Sequence, residues 1–574
     1  MLQTQSATPP ETPVPAVVLC TLNAKYIHAS LGLRYLLANM GDLRHRVVLR
    51  EYTIARNPQE IADALLLLLG PPLAGQVQVL GFGVYIWNVT QTCELVRLLK
   101  QAHPALKIVL GGPEVSHELE DQAIVALADH VVTGWGDISF PKLCRALLLG
   151  PQPLMKVIVG EQPPLEQIAL PYDEYSTADL AHRVLYVEAS RGCPFKCEFC
   201  LSSLDKTAWA FDVDRFLQAL HGLYQRGART FKFVDRTFNL KIDASLRILK
   251  FFLDRLPQPG LAGAVPGLFV HFELIPDHLP ERLQQMIARF PPGVLQFEIG
   301  IQTFNVEVQR RISRRQDNLQ TVANLRWLRE FSHAHLHTDL IFGLPGESLH
   351  SFAQGFDQLV ALRPHEIQLG LLKRLRGTPI ARHSAAFGMV FDAQPPYAVR
   401  ETGAVGTADM LRFTRLSRYW ELIANSGRFQ RSLALLLASS PVRPAGSVGQ
   451  TADTHGEAAE PASPFYAFLA CADWLWARTG ATSRLTPEIL VDRLFDYLCD
   501  VRGVDAAVVL QALRADYLES GARASPQVLR LLPKRADPVH KTTRTWPSRQ
   551  AQHQAGGQIQ ALPISTQILD RPLQ

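Results

Sequence analysis

From Val17 to about Gly150, short runs of Val, Ile and Leu alternate with segments whose apolar residues recur at helical spacing. The runs VVLCTL, RVVLREYT, VQVLGFGVYI, LKIVLGG and HVVTGWG read as strands, and VTQTCELVRLLKQAH is the clearest helix between them. Short βα alternation predicts a parallel sheet with helices on both faces and a ligand at the carboxyl ends of the strands. Glycines stand at those ends: Gly81 and Gly83, Gly111 and Gly112, Gly134 and Gly136. A glycine there lets backbone approach a flat or phosphate-bearing ligand. None of them forms a GxGxxG with an acidic partner, which argues against a nicotinamide site.

Residues 151–182 are rich in Pro and Glu and read as a connector. A second βα series then begins at RVLYVEAS and continues through TFKFVD, LFVHFEL, VLQFEIGI, HLHTDLIFG and EIQLGLL, six units before about Pro379. Six parallel strands do not close an eight-stranded barrel, so an open partial barrel is expected, with its chemistry at the carboxyl-end rim. After about Gln394 the period turns helical, in AVGTADMLRFTRLSRYWELIANSGRF, FYAFLACADWLWART and EILVDRLFDYL. The expected layout is a disordered leader (1–15), a first α/β domain (16–150), a linker (151–182), a partial barrel (183–390) and a helical region (391–521). A flexible insertion is expected near 440–463 and a disordered tail at 522–574. Trp420, Trp474 and Trp476 read as helix-spaced core residues rather than as pocket lining.

A length of 574 residues allows two or three domains, and 47% apolar with 19% charged residues fits a soluble globular protein. The net charge of +5 signals neither a nucleic-acid stripe nor a membrane surface. The first residues lack the basic start and apolar core of a secretory signal. The run ADALLLLLG is too short to span a bilayer and stops at Pro71 and Pro72. Of the eight cysteines, Cys20, Cys93, Cys144, Cys471 and Cys499 are scattered through apolar segments, so a reducing, cytoplasmic setting is expected.

The other three sit together in SRGCPFKCEFC, where Cys193, Cys197 and Cys200 are spaced CxxxCxxC. Three thiolates from one tight loop suit a 4Fe-4S cluster and leave its fourth iron open for a small molecule. The competing reading is a structural zinc loop, which calls for a second CxxC pair or downstream histidines, and neither stands at such spacing.

This loop resembles the signature of the radical S-adenosylmethionine (radical SAM) enzymes. The turns GGPE and GWGD, lying ahead of it, resemble those of the cobalamin (vitamin B12) binding domain fused to many of these enzymes. That family often reads GEGE at the second turn, where Trp135 and Asp137 replace the two acids. Its DxHxxG motif is absent: Tyr26 stands at the aspartate position relative to His28, and Gly32 is displaced by one. The resemblance therefore implies cobalamin with no histidine beneath it, and His28 is left as the one weak candidate. From EIGIQTFNVEVQRRISRRQD to DLIFGLPGE the chain resembles oxygen-independent coproporphyrinogen oxidase. Motif by motif, that resemblance puts Glu273, Gln302, Arg314 and Asp339 on S-adenosylmethionine contacts. Arg314 would meet the carboxylate, and the acids with Gln302 the amine and ribose. Asp235 joins them as a strand-end acid, alongside Glu298, and Phe199 as an aromatic near the adenine. Gly111, Gly112, Gly134 and Gly136 are the implied cobalamin contacts.

Taken together, SRGCPFKCEFC, KFVDRTFN and LLKRLRGTPI resemble a subgroup of cobalamin-binding radical SAM proteins with an uncharacterised helical C-terminal region. The resemblance covers about two thirds of the chain. It implies an α/β fold: a Rossmann-like cobalamin-binding domain, a partial (βα)6 TIM-type barrel, then the α-helical region. The implied reaction is reductive cleavage of S-adenosylmethionine to a 5'-deoxyadenosyl radical, followed by methylation of an unactivated carbon of a small-molecule substrate. An electron donor such as flavodoxin or ferredoxin would serve it. The rival outcomes are a cyclase or rearranging enzyme without methyl transfer, and a non-catalytic corrinoid or iron-sulfur sensor, which would lack the S-adenosylmethionine rim. No appended basic module points to RNA or other nucleic acid.

Overall fold

Strand β1, Val17–Asn23, is buried along its whole length, as a central strand covered on both faces must be. It lies between β2 (Val47–Thr53) and β3 (Val79–Gly83), and β4 (Lys107–Gly111), β5 (His130–Thr133) and β6 (Val157–Val159) follow outward. The sheet is parallel throughout, in the order β2-β1-β3-β4-β5-β6. The computed structural model describes residues 15–71, 75–205, 207–256, 267–438, 463–520, 525–530, 550 and 553. The expected leader, the insertion near 440–463 and most of the 522–574 tail lie outside the described residues.

Five of these strands match the apolar runs. The sixth comes from the stretch expected to be a connector, where Val157–Val159 adds to the free edge of β5. Two tyrosines later in that stretch fasten it to the second sheet. The Tyr172 hydroxyl donates to the Glu188 carbonyl at 3.1 Å and the Tyr175 hydroxyl to the Tyr186 carbonyl at 2.7 Å.

The second sheet holds β7 (Leu185–Val187), β8 (Thr230–Phe233), β9 (Phe269–Leu274), β10 (Leu295–Gln302), β11 (His335–Phe342) and β12 (Glu366–Leu371). Its order is sequential and all parallel, which is the open six-unit barrel expected. Alternation decides which side chains serve the core. Phe233, Phe272 and Phe297 are fully buried, and rings of adjacent strands meet at 4.5 and 6.3 Å. Burial of each such ring stabilises the fold by about 2–3 kcal/mol. The alternate positions, Lys232, His271, Glu273 and Glu298, share the other face.

The β12 edge is closed by the helical region. Asn425 accepts from the Ile367 amide and donates to its carbonyl, both at 3.0 Å, so one side chain pairs with the edge as a strand would. The helix Thr407–Ile423 sets Phe413 on Phe342 with centroids 4.1 Å apart. Trp420 is buried between Phe356 and Phe468, as expected of a core residue, whereas Trp474, packed on Tyr497, and Trp476, under Arg415, are half-buried at the edge of the core. Among the described residues, no helix is long and apolar enough to cross a membrane.

A buried charge cluster joins the first sheet to the connector. Arg34 contacts Glu51 at 2.8 Å and Asp179 at 2.9 Å, and Arg183 reaches Glu51 at 2.6 Å. Removing one member strands the others away from water. Arg34→Leu is expected to destabilise the fold by about 3–5 kcal/mol, read as a clear drop in the thermal unfolding midpoint. An unchanged midpoint would exclude the cluster as a stabilising element.

Candidate functional site

The carboxyl ends of the two sheets face one another and enclose two cavities. The first, about 440 Å³, has the glycine turns Gly81, Gly83, Gly111, Gly112, Gly134 and Gly136 on one side and Glu188, Ser190, Arg191 and Arg236 on the other. Its floor must be bare. At Gly112 φ is +107°, and a Cβ would lie 2.5 Å from the Val84 carbonyl oxygen, so no other residue fits there. A wide cavity with a side-chain-free floor and a polar rim fits a flat macrocycle such as a corrinoid. The described lining contains no histidine. His28 does not face it, because its Nδ1 meets the Tyr186 hydroxyl at 2.7 Å.

The second cavity, about 240 Å³, brings together Cys193, Cys197, Cys200 and Phe199 with Glu273, Glu298, Gln302, Arg314 and Asp339. The cysteine loop is fixed at its backbone and at Glu198. The Ser203 hydroxyl donates to the carbonyls of Cys197 and Cys200 at 3.0 and 2.7 Å. Buried Glu198 accepts from the Ser313 hydroxyl at 2.6 Å, pairs with His383 Nε2 at 2.8 Å, and bonds Arg382. Arg314 Nη1 stands 3.7 Å from Cys197 Sγ, a donor aimed at a sulfur that becomes anionic when it binds iron. Burial pushes the Cys193 thiol up to about 11, so iron must displace protons here and loading the cluster releases them.

Gln302 ends β10 with φ +68°, a left-handed conformation that is strained for a side-chain-bearing residue. The β10–β11 register slips between Gly300 and Gln302. A Cβ on Gly300 would lie 2.4 Å from Gln302 Nε2. The bare Gly300 is therefore what lets the Gln302 amide fold back over the strand end, into the cavity wall.

Three carboxylates converge on this wall and are compensated unequally. Glu273 pairs with Arg236 Nη1 at 2.8 and 3.0 Å. Burial alone would raise Glu298, yet the His271 ring, its Nε2 3.1 Å away, and the charge of Lys232 hold it below the usual range. Asp339 has no such close cation: its Oδ1 is buried without a hydrogen-bond partner among the described residues, His337 stands 3.6 Å away, and the charges of Lys232 and Arg314 act on it without an ion pair. Burial first, then the charges of Glu298 and Glu273, raise its carboxyl well above the ordinary value. An acceptor left in this state fits a ligand's ammonium or hydroxyl. With Arg314 nearby for a carboxylate, the set fits a zwitterionic amino acid beside the three thiols.

Asp235 stands apart from the other expected contacts. It is buried outside this cavity, accepting from the Ser190 hydroxyl at 2.6 Å and the Ala189 amide at 3.0 Å. Its reach is too short to pass the strand end, so it shapes the entry to the cysteine loop instead. Arg191, Arg236 and Glu198 were not expected from the sequence. Arg191 donates to Asp137 at 2.8 and 3.1 Å and to Glu188 at 2.7 Å, and it stacks over Tyr35 and Trp135. The Trp and Asp of the GWGD turn thus grip the arginine of SRGC. A paired reading of the two turns was the available signal.

Burial lifts the Asp235 carboxyl from 3.8 to about 7. The folded state therefore favours the protonated acid, and this contribution is complete below about pH 4 and lost as pH rises through about 7. Asp235→Asn stays neutral and should be flat across that window. Its stability relative to the parent should rise between pH 4 and 7 by up to about 4 kcal/mol, measured by denaturant titration. A difference independent of pH would show the carboxyl to be ionised throughout.

A model of the B12 binding domain matches residues 17–144, and a model of the radical SAM superfamily matches residues 187–359. The chain is 24% identical over 317 residues to the 2-(S-pantetheinyl)-carbapenam-3-carboxylate methyltransferase of Streptantibioticus cattleyicolor, across 50% of this chain and 45% of that protein. It is 30% identical over 118 residues to the oxygen-independent coproporphyrinogen III oxidase of Paracoccus denitrificans, across 20% and 26%. The structure of the cobalamin-dependent S-adenosylmethionine radical enzyme OxsB, with aqua-cobalamin and S-adenosylmethionine bound, superposes with a TM-score of 0.53 at 12% identity, across 88% of this chain and 79% of that one. That likeness is one of fold. The chain spans about half the length of the first curated relatives it matches, between 40% and 48%. The chain therefore carries a B12-binding domain ahead of a radical SAM domain.

Proposed function

We propose that the protein is a cobalamin-dependent radical SAM enzyme that methylates an unactivated carbon of a small-molecule substrate. The observation that carries this reading is the adjacency of the two cavities. Arg236 lines both, so the two cavities adjoin and the thiol loop and the glycine floor lie on either side of one side chain. When bound, the cofactors supply an electron and cleavable S-adenosylmethionine on one side and a cobalt-bound methyl group on the other. The protein's own part is to hold and orient them. Cys193, Cys197 and Cys200 would hold three irons, Arg314 the carboxylate of S-adenosylmethionine, and Glu273 and Asp339 with Gln302 its amine and ribose. The glycine turns would seat the corrinoid with no imidazole below it. The name of the carbapenam relative supports methyl transfer as the outcome. An external one-electron donor such as flavodoxin or ferredoxin would complete the system.

Anaerobic reconstitution with iron, sulfide, cobalamin and S-adenosylmethionine tests this reading. Turnover should leave both 5'-deoxyadenosine and S-adenosylhomocysteine. The first product alone would point to a cyclising or rearranging enzyme, and neither product would sink the proposal. Asp339→Asn and Arg314→Met should each weaken S-adenosylmethionine binding about tenfold or more, the cost of one hydrogen bond to a charged group. Cys197→Ala should abolish the iron-dependent absorbance.

A further inference from the structure

The cations around the two cavities are not equally committed. Arg191 is used up by Asp137 and Glu188. Arg314 is held by Gln316 and the Gly300 carbonyl and turns its remaining nitrogen to the Cys197 sulfur. Arg315 lines the second cavity alone. Arg236 differs in two respects. It is the one described residue lining both cavities, and both Glu273 oxygens meet its Nη1, leaving Nε and Nη2 with no hydrogen bond among the described residues. Its side chain is 51% exposed, whereas that of Glu273 is 17% exposed. A guanidinium edge without a protein hydrogen-bond partner among the described residues thus stands at the border of the two cavities.

We infer that the substrate carries an oxyanion, a carboxylate or a phosphate, that Arg236 is the residue receiving it, and that S-adenosylmethionine frees Arg236 for this task by drawing Glu273 to its ammonium. This assignment presupposes the cofactor placement proposed above. The planar fork of arginine matches either oxyanion with two parallel hydrogen bonds. Without S-adenosylmethionine, Glu273 cancels the charge of Arg236, so the oxyanion site is weak. With it, the ammonium competes for Glu273 and the oxyanion replaces Glu273 on the guanidinium. Binding is then ordered, and the coupling is reciprocal: each ligand strengthens the other by one factor. A carbon close to the oxyanion is thereby presented to both cavities.

The test uses full-length protein loaded with cluster and cobalamin, whose absorbance reports that each variant is intact. Labelled inorganic phosphate and labelled acetate serve as probes in equilibrium dialysis, with and without S-adenosylmethionine. One saturable site is expected, at least tenfold tighter when S-adenosylmethionine is present. Arg236→Gln should weaken it at least tenfold, and Arg236→Lys, which keeps the charge but not the fork, by a smaller factor. In Glu273→Gln the oxyanion should bind tightly whether or not S-adenosylmethionine is present. A merely structural Arg236–Glu273 pair would not produce that loss of coupling. Tighter phosphate than acetate assigns a phosphoryl substrate, and the reverse order a carboxylate. Oxyanion binding that is undetectable, or identical in the parent and Arg236→Gln, overturns the inference while S-adenosylmethionine binding keeps the functional reading intact. Failure of the parent to bind S-adenosylmethionine overturns both.

Discussion

The arrangement depends on one guanidinium. Arg191 belongs to the loop that leads into the three cysteines, yet its charge is met by Asp137 from the last glycine turn of the first sheet and by Glu188 from its own strand end. Tyr35 and Trp135 cover its faces at 4.3 and 5.0 Å, contacts of about 1–2 kcal/mol when desolvated. A buried pair of this kind adds little net stability, because desolvation offsets the attraction, but losing either partner is costly. Its value is geometric. It ties the last glycine turn to the loop that leads into the thiols, and so sets how far the glycine floor lies from them.

The second constraint is an imbalance of charge. Three acids end adjacent strands of the second sheet, and two of them are answered by protein cations: Glu273 by Arg236, and Glu298 by Lys232. Asp339 is left for whatever enters. A wall that is incompletely neutralised favours a cationic or zwitterionic guest and disfavours an anion at the same spot. The guanidinium edge one residue beyond the wall reverses that preference, so one cleft presents opposite signs a few ångströms apart.

Much of this was legible in the sequence because the physics was local. Buried parallel strands need runs of apolar residues, and turns at their ends need glycine, so eleven of the twelve strands described for the two large sheets and the glycine floor stand out as runs and stops, β7 and β8 among the shorter of them. Three cysteines in eight residues announce their metal by spacing. Strand β6 escaped because three valine-type residues between prolines carry too little pattern to outweigh a connector. Arg191, Arg236 and Glu198 escaped for another reason. Each reads as an ordinary loop charge, and its partner lies far along the chain: Asp137 for Arg191, Glu273 for Arg236, His383 for Glu198. Asp235 looked like its strand-end neighbours, and only the fold reveals that its carboxylate turns back to Ser190. The helical region was recognisable by period, but which strand it seals is decided by Asn425, one amide among many.

The chain that crosses from one sheet to the other has a mechanical consequence. Because Val157–Val159 is stitched into the first sheet, Asp179 into the Arg34 cluster, and Tyr172 and Tyr175 onto the second sheet, no slack remains between the halves. Prising the halves apart like jaws would have to break these ties together, so the crossing segment works as a brace across the cleft rather than as a loose tether.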